Sequence, residues 1–154
     1  MSHYNFVKKC RICSSNNLKM ILDLGEQPPS NSFINKNELN SLESKFPLRL
    51  FWCKDCYLVQ LLDIVDKEYL FKNYFYMTSA SKPIVEHFKK YAQDVFQEFL
   101  QKDDSFVVEI GSNDGSLLKE FKKLGASILG IEPATNLSEL ANQSNITTKN
   151  TFFS

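Results

Sequence analysis

Residues 105–116 read Ser105-Phe106-Val107-Val108-Glu109-Ile110-Gly111-Ser112-Asn113-Asp114-Gly115-Ser116. A nearly continuous apolar run with a single acid near its C-terminal end suits a strand buried on both faces, as in a parallel sheet. A glycine-containing turn follows, and the spacing of Leu117, Leu118, Phe121 and Leu124 then predicts a helix over 116–124. Downstream, 127–131 reads as a second strand, 133–143 as a second helix and 146–148 as the start of a third strand. Upstream, Ile84/Val85, Phe88, Tyr91/Ala92, Val95/Phe96 and Phe99/Leu100 mark a long amphipathic helix over 81–100, with Ser81 as N-cap and Pro83 in the first turn. Before it lies an aromatic cluster, Tyr69, Phe71, Tyr74, Phe75 and Tyr76, running into Met77-Thr78-Ser79-Ala80-Ser81. An α/β architecture therefore begins after Asp103-Asp104.

The glycine spacing decides what the loop can cradle. Dinucleotide binding asks for G-x-G-x-x-G, but positions 113 and 116 are Asn113 and Ser116, so the nicotinamide reading is disfavoured. No G-K-[ST] follows, which removes the P-loop. The form E-x-G-x-N-D-G instead resembles motif I of the class I S-adenosylmethionine (SAM) methyltransferases, with Asn113 where glycine is common. Asparagine tolerates the left-handed backbone better than most residues. Glu132, which ends the second strand in Gly130-Ile131-Glu132-Pro133, is placed to take two ribose hydroxyls.

All four cysteines fall in the first 56 residues, as Cys10-Arg11-Ile12-Cys13 and Cys53-Lys54-Asp55-Cys56. Two C-x2-C turns complete the tetrahedral S4 shell of a structural Zn(II) and leave no open position for catalysis. The intervening 39 residues exceed the roughly 15–20 of compact zinc ribbons, so an insertion lies between the knuckles. Short β-like runs at 18–24, 46–52 and 57–62 surround them, separated by a turn from Gly25 through Pro28-Pro29, and 37–43 reads as a short helix. His3 reads as part of a frayed N-terminus.

Composition bounds the remaining classes. Eighteen basic and eighteen acidic side chains cancel, which argues against a nucleic-acid binder. No stretch approaches the roughly 20 consecutive apolar residues of a membrane span, and no secretory signal opens the chain, so the expected compartment is the cytoplasm.

Together, C-R-I-C, L-D-L-G-E-Q-P, F-P-L, W-C-K-D-C-Y-L-V-Q-L, Y-F-Y-M-T-S-A-S, V-V-E-I-G-S-N-D-G-S-L-L and G-I-E-P-A resemble the sugar C-methyltransferases that act on nucleotide-linked keto-sugars. The resemblance implies a zinc-binding β-rich domain over 1–63, an aromatic loop and linking helix over 64–104, and an incomplete Rossmann-like SAM-binding domain over 105–154. The implied fold class is an α+β zinc module followed by an incomplete class I methyltransferase sheet. Carried over, Cys10, Cys13, Cys53 and Cys56 hold zinc. Glu109, Gly111, Asn113, Gly115 and Glu132 shape the SAM site, with Tyr74 and Ser79 beside cofactor or sugar. Tyr76 faces the active site, and His87 on the long helix is a second acid/base candidate. The implied reaction removes a proton next to a ketone, after which the enolate carbon attacks the SAM methyl group. Family members continue through further strands and another domain. This chain therefore reads as an N-terminal portion completed by a second polypeptide, or as a remnant, and an inactive zinc-binding interaction module remains the alternative.

Overall fold

The structure, a computed structural model, describes residues 3–100 and 104–153. Asp103, the expected border of the α/β segment, lies outside the described residues. The chain divides into two compact units, Met1–Leu70 and Phe71–Ser154.

In the first unit, β1 (Tyr4–Phe6) pairs antiparallel with β5 (Asp63–Val65). The chain is tied down at His3, where fraying is expected: the His3 carbonyl accepts the Asp66 N–H at 2.7 Å, and its ring stacks on Tyr69 with centroids 4.8 Å apart. β2 (Leu18–Gln27), β3 (Phe46–Cys53) and β4 (Val59–Leu61) form an antiparallel sheet with β3 central. The turn predicted from Gly25 begins later, at Pro28. Gly25 instead sits at φ +70° in a register slip between Asp23 and Glu26, and its N–H is held by Asp23 Oδ1 at 2.8 Å, so the glycine serves as a bulge within the strand.

The helix predicted over 37–43 is reduced to one 3-10 turn, Lys36–Glu38. Leu39 and Leu42 are exposed, so a longer helix has no apolar face to bury and propensity alone does not sustain it. A final short helix, α1 (Lys67–Phe71), is capped by Asp66, whose Oδ1 accepts the Glu68 and Tyr69 N–H groups. The buried apolar residues described here are few: Cys10, Phe46, Cys53 and Leu62. Two of these four are expected metal ligands, as befits a unit too small to be held by hydrophobic burial alone.

The second unit opens with α2 (Lys82–Phe99), followed by β6 (Phe106–Ile110), α3 (Ser116–Lys123), β7 (Ser127–Ile131), α4 (Thr135–Gln143) and β8 (Thr148–Lys149). The strands form a parallel sheet in the order β6-β7-β8, with Phe106 opposite Ser127 and Gly130 opposite Thr148. Ser81 occupies the N-cap position of α2 with an extended backbone, but its side chain makes no capping bond. The third strand starts later than the apolar pattern predicts, because Ile146 is spent on packing. It is buried with Leu118 and Ala141 under Val107 and Ile128. Ala92, Phe121 and Ala126 form the other half of the core, packed by Val95, Phe96, Leu100 and Leu117. β6 has one described neighbour, β7, and exposes Phe106, Val108 and Ile110. No described helix is long and apolar enough to cross a membrane.

Candidate functional site

The two C-x2-C segments fold into near-identical knuckles. In the first, Ser14 N–H bonds Cys10 O at 2.9 Å and Cys10 N–H bonds Ser15 O at 2.8 Å. In the second, Tyr57 N–H bonds Cys53 O and Cys53 N–H bonds Leu58 O, both at 2.9 Å. Each turn closes through a non-glycine residue in the left-handed region, Ser14 at φ +60° and Tyr57 at φ +64°. Asp55 ties the knuckles together, accepting from Ser15 Oγ and, at 2.9 Å, from Asn17 Nδ2.

The four sulfurs lie within 4.8 Å of one another, with Cys10–Cys56 at 3.5 Å and Cys13–Cys53 at 3.6 Å. A disulfide needs about 2.05 Å, so these are free thiols. A tetrahedral S4 shell with Zn–S bonds of about 2.3 Å has sulfur–sulfur edges of about 3.8 Å, and the cluster fits it. Its electrostatics also ask for a cation. The Cys13 backbone N–H, acting against burial, brings the Cys10 thiol down to about 6. Cys13 is pulled down by the Ser15 N–H but is raised by the Cys56 thiol and by burial, ending at about 12. Four thiolates this close need positive charge between them, which Zn(II) supplies.

In the second unit the loop after β6 is built from left-handed residues, Gly111 at φ +71°, Asn113 at +52° and Gly115 at +76°. Gly115 is required twice over, since a Cβ there would lie 2.7 Å from Ile146 Cγ2. Gly130 lets the loop sit on β7, where a Cβ would fall 2.5 Å from Ser112 Oγ. Glu132 is buried at the end of β7 and braces the loop: its Oε2 accepts the Asn113 N–H at 2.7 Å and its Oε1 the Ala134 N–H at 2.8 Å.

Beside this loop is a hollow of about 400 Å³ lined by Tyr74, Gly111, Asn113, Glu132 and, unforeseen from sequence, Phe152 and Phe153. Tyr74 thus shares the hollow with Gly111, 37 residues further along the chain, and with Glu132, 58 residues further along. Gly115 ends the loop against Ile146 and does not line the hollow. Tyr76 and Ser79 stand on the preceding strap and His87 on the exposed side of α2, its ring near Phe88 and Tyr91; none of the three lines the hollow. Glu109 borders a separate groove of about 470 Å³ between α2, α3 and β6. Burial, reinforced by the charges of Asp114 and Glu132, lifts its carboxyl to about 7, and its Oε2 is buried without a hydrogen-bond partner among the described residues.

The strap before α2 is pinned by asparagines whose role the sequence did not signal. Asn113 Oδ1 accepts the Thr78 N–H at 2.9 Å and its Nδ2 donates to Tyr76 O at 3.0 Å. Asp114 Oδ2 accepts the Ser79 N–H at 2.8 Å. Asn136 holds Tyr74 in the same two-way manner, accepting from its N–H at 3.1 Å and donating to its carbonyl at 2.9 Å. Loop and strap are therefore one hydrogen-bonded body.

Residues 10–71 match a methyltransferase family model described as "Putative zinc binding domain". Over 142 residues the chain is 28% identical to the C-methyltransferase NovU of Streptomyces niveus, an alignment covering 92% of this chain and 34% of that protein. The chain thus spans about a third of the length of this relative. Both findings support the resemblance to the N-terminal part of a methyltransferase family: the chain carries a zinc-binding module and is methyltransferase-like.

Proposed function

We propose that the chain is the N-terminal portion of a SAM-dependent C-methyltransferase whose substrate is a nucleotide-linked keto-sugar. The observation that carries this reading is the hollow in which Gly111, Asn113 and Glu132 meet Tyr74 and a pair of phenylalanines. A left-handed loop with no phosphate-binding motif suits an amino-acid and nucleoside ligand better than a pyrophosphate. Each Glu132 oxygen accepts one backbone N–H and keeps a further lone-pair direction for a ribose hydroxyl. Phe152, Phe153 and Phe71 supply apolar and aromatic surface for a purine.

In this reading bound SAM supplies the methyl group. The residues of this chain bind and orient: Asn113 and Asp114 fix the strap bearing Tyr76, and Tyr76 with His87 are the acid/base candidates. The first unit is structural, its zinc closed by Cys10, Cys13, Cys53 and Cys56. The principal base and the rest of the sugar site are assigned to polypeptide beyond these 154 residues, whether covalently continuous or a second chain, and the compartment to the cytoplasm.

Calorimetric titration of the zinc-loaded chain with SAM tests this reading. A saturable 1:1 heat that Glu132→Ala abolishes is expected; binding of NADH in place of SAM would overturn it. The exposed Phe33, Leu39 and Leu42 of the first unit favour a second reading, an interaction module without chemistry. Full zinc occupancy with no SAM heat would select that one.

A further inference from the structure

The two knuckles match in their internal hydrogen bonds but differ in what braces the residue after the first cysteine. In the second knuckle the Lys54 N–H is held by a main-chain carbonyl, Asn17 O, at 2.9 Å. In the first, the Arg11 N–H is held by a side chain, Gln60 Oε1, at 3.1 Å. Gln60 comes from β4, opposite Phe51, and is 5% exposed. The Arg11 guanidinium closes the same bracket, donating to Leu61 O at 2.6 Å.

The other end of the carboxamide is unaccounted for. Gln60 Nε2 is buried and has no hydrogen-bond partner among the described residues. A buried amide N–H without a partner is rare in a folded protein, because water is not available to it. Oε1 being fixed by Arg11, the residue next to Cys10, the NH2 group is directed elsewhere. A thiolate bound to Zn(II) is a better acceptor than a thiol, and outer partners of metal ligands commonly donate to them.

We infer that Gln60 is the positioning residue of the metal centre, its Oε1 holding the first knuckle through Arg11 N–H while its Nε2 donates to the Cys10 thiolate when zinc is bound. The first knuckle, lacking the main-chain brace of the second, is thereby fixed by a side chain from the neighbouring sheet. This inference rests on reading the four cysteines as a zinc site.

The test uses the full chain and Gln60→Glu, which is nearly isosteric and keeps the acceptor for Arg11 N–H but replaces the N–H donor with a second oxygen. Zinc affinity from chelator competition is expected to fall ~10–100-fold, the range typical of lost outer partners. The thiolate-to-metal charge-transfer band of the cobalt-loaded variant should shift as well. A role confined to holding Arg11 predicts no change in either, and that result overturns the inference. If Gln60→Glu fails to fold, the unmodified protein loaded with cadmium-113 gives the answer by NMR. One Gln60 side-chain proton should become slow to exchange and couple to the metal; absence of both overturns the inference. Failure of the unmodified chain to bind any metal is a separate result, which would refute the zinc reading itself.

Discussion

Ser14 and Tyr57 close the two knuckles with φ near +60°, a conformation costing a side-chain-bearing residue about 1–2 kcal/mol. Tyr57 recovers part of this by stacking on Trp52, with centroids 6.1 Å apart. Ser14 has no ring contact of that kind. Ser14→Gly is therefore expected to stabilise the zinc-loaded protein by up to ~1 kcal/mol, glycine's greater unfolded-state entropy offsetting the rest. Chemical denaturation with zinc in excess measures the change. Asn113 makes the opposite case, because glycine suits its backbone but not its side-chain bonds. Asn113→Gly keeps the main-chain bond to Glu132 and loses the bonds to Thr78 N–H and Tyr76 O, each contributing about 1 kcal/mol. Hydrogen exchange at the Thr78 amide should accelerate roughly tenfold or more. The motif flagged position 113 as a glycine substitute; that the amide serves as a clamp depends on the strap being brought to it from 35 residues earlier.

At the scale of elements, β6 delivers Glu109 among the side chains of α2 and α3, where it lacks a partner for one oxygen. Its carboxyl is raised from an ordinary 4.5 to about 7, so the folded state holds the proton more tightly than the unfolded chain. The contribution is thus fully present below pH 4.5 and is lost as pH rises through about 7, on the order of 3 kcal/mol at most. Glu109→Gln should remove that slope between pH 5 and 8 and raise stability at pH 8; parallel curves for the two proteins would contradict this. The neighbouring Asp114, held down by Ser116 and Ser79 despite burial, titrates below this window and does not mask it. Strand, loop and helix were legible here from the apolar run and the spacing of Leu117, Leu118 and Phe121. Element ends were not: β2 runs through Gly25 because the bulge depends on its pairing with β3, and β8 starts late because Ile146 is claimed by Leu118 and Ala141.

For the whole molecule, the first unit is expected to depend on its metal. Cys10 and Cys53 supply half of its described buried apolar residues, and zinc binding by four thiolates is coupled to folding. Cys53→Ser, or removal of zinc by a chelator, should abolish the β-sheet signal of residues 10–71 in hydrogen exchange. A full metal equivalent and unchanged protection in the variant would refute the assignment. The sequence by itself determined the two C-x2-C thiol pairs, the parallel α/β segment and the loop with its acid, because these are written in local spacing: two residues between thiols, glycines at a turn, apolar positions on one helical face. Tertiary structure alone decided which residues share a site. Tyr74 and Phe153 meet at Glu132, Gln60 turns toward the first knuckle, and Asn113 and Asn136 grip the strap, since contacts between distant segments depend on how strands pair and cores pack, which no local pattern encodes.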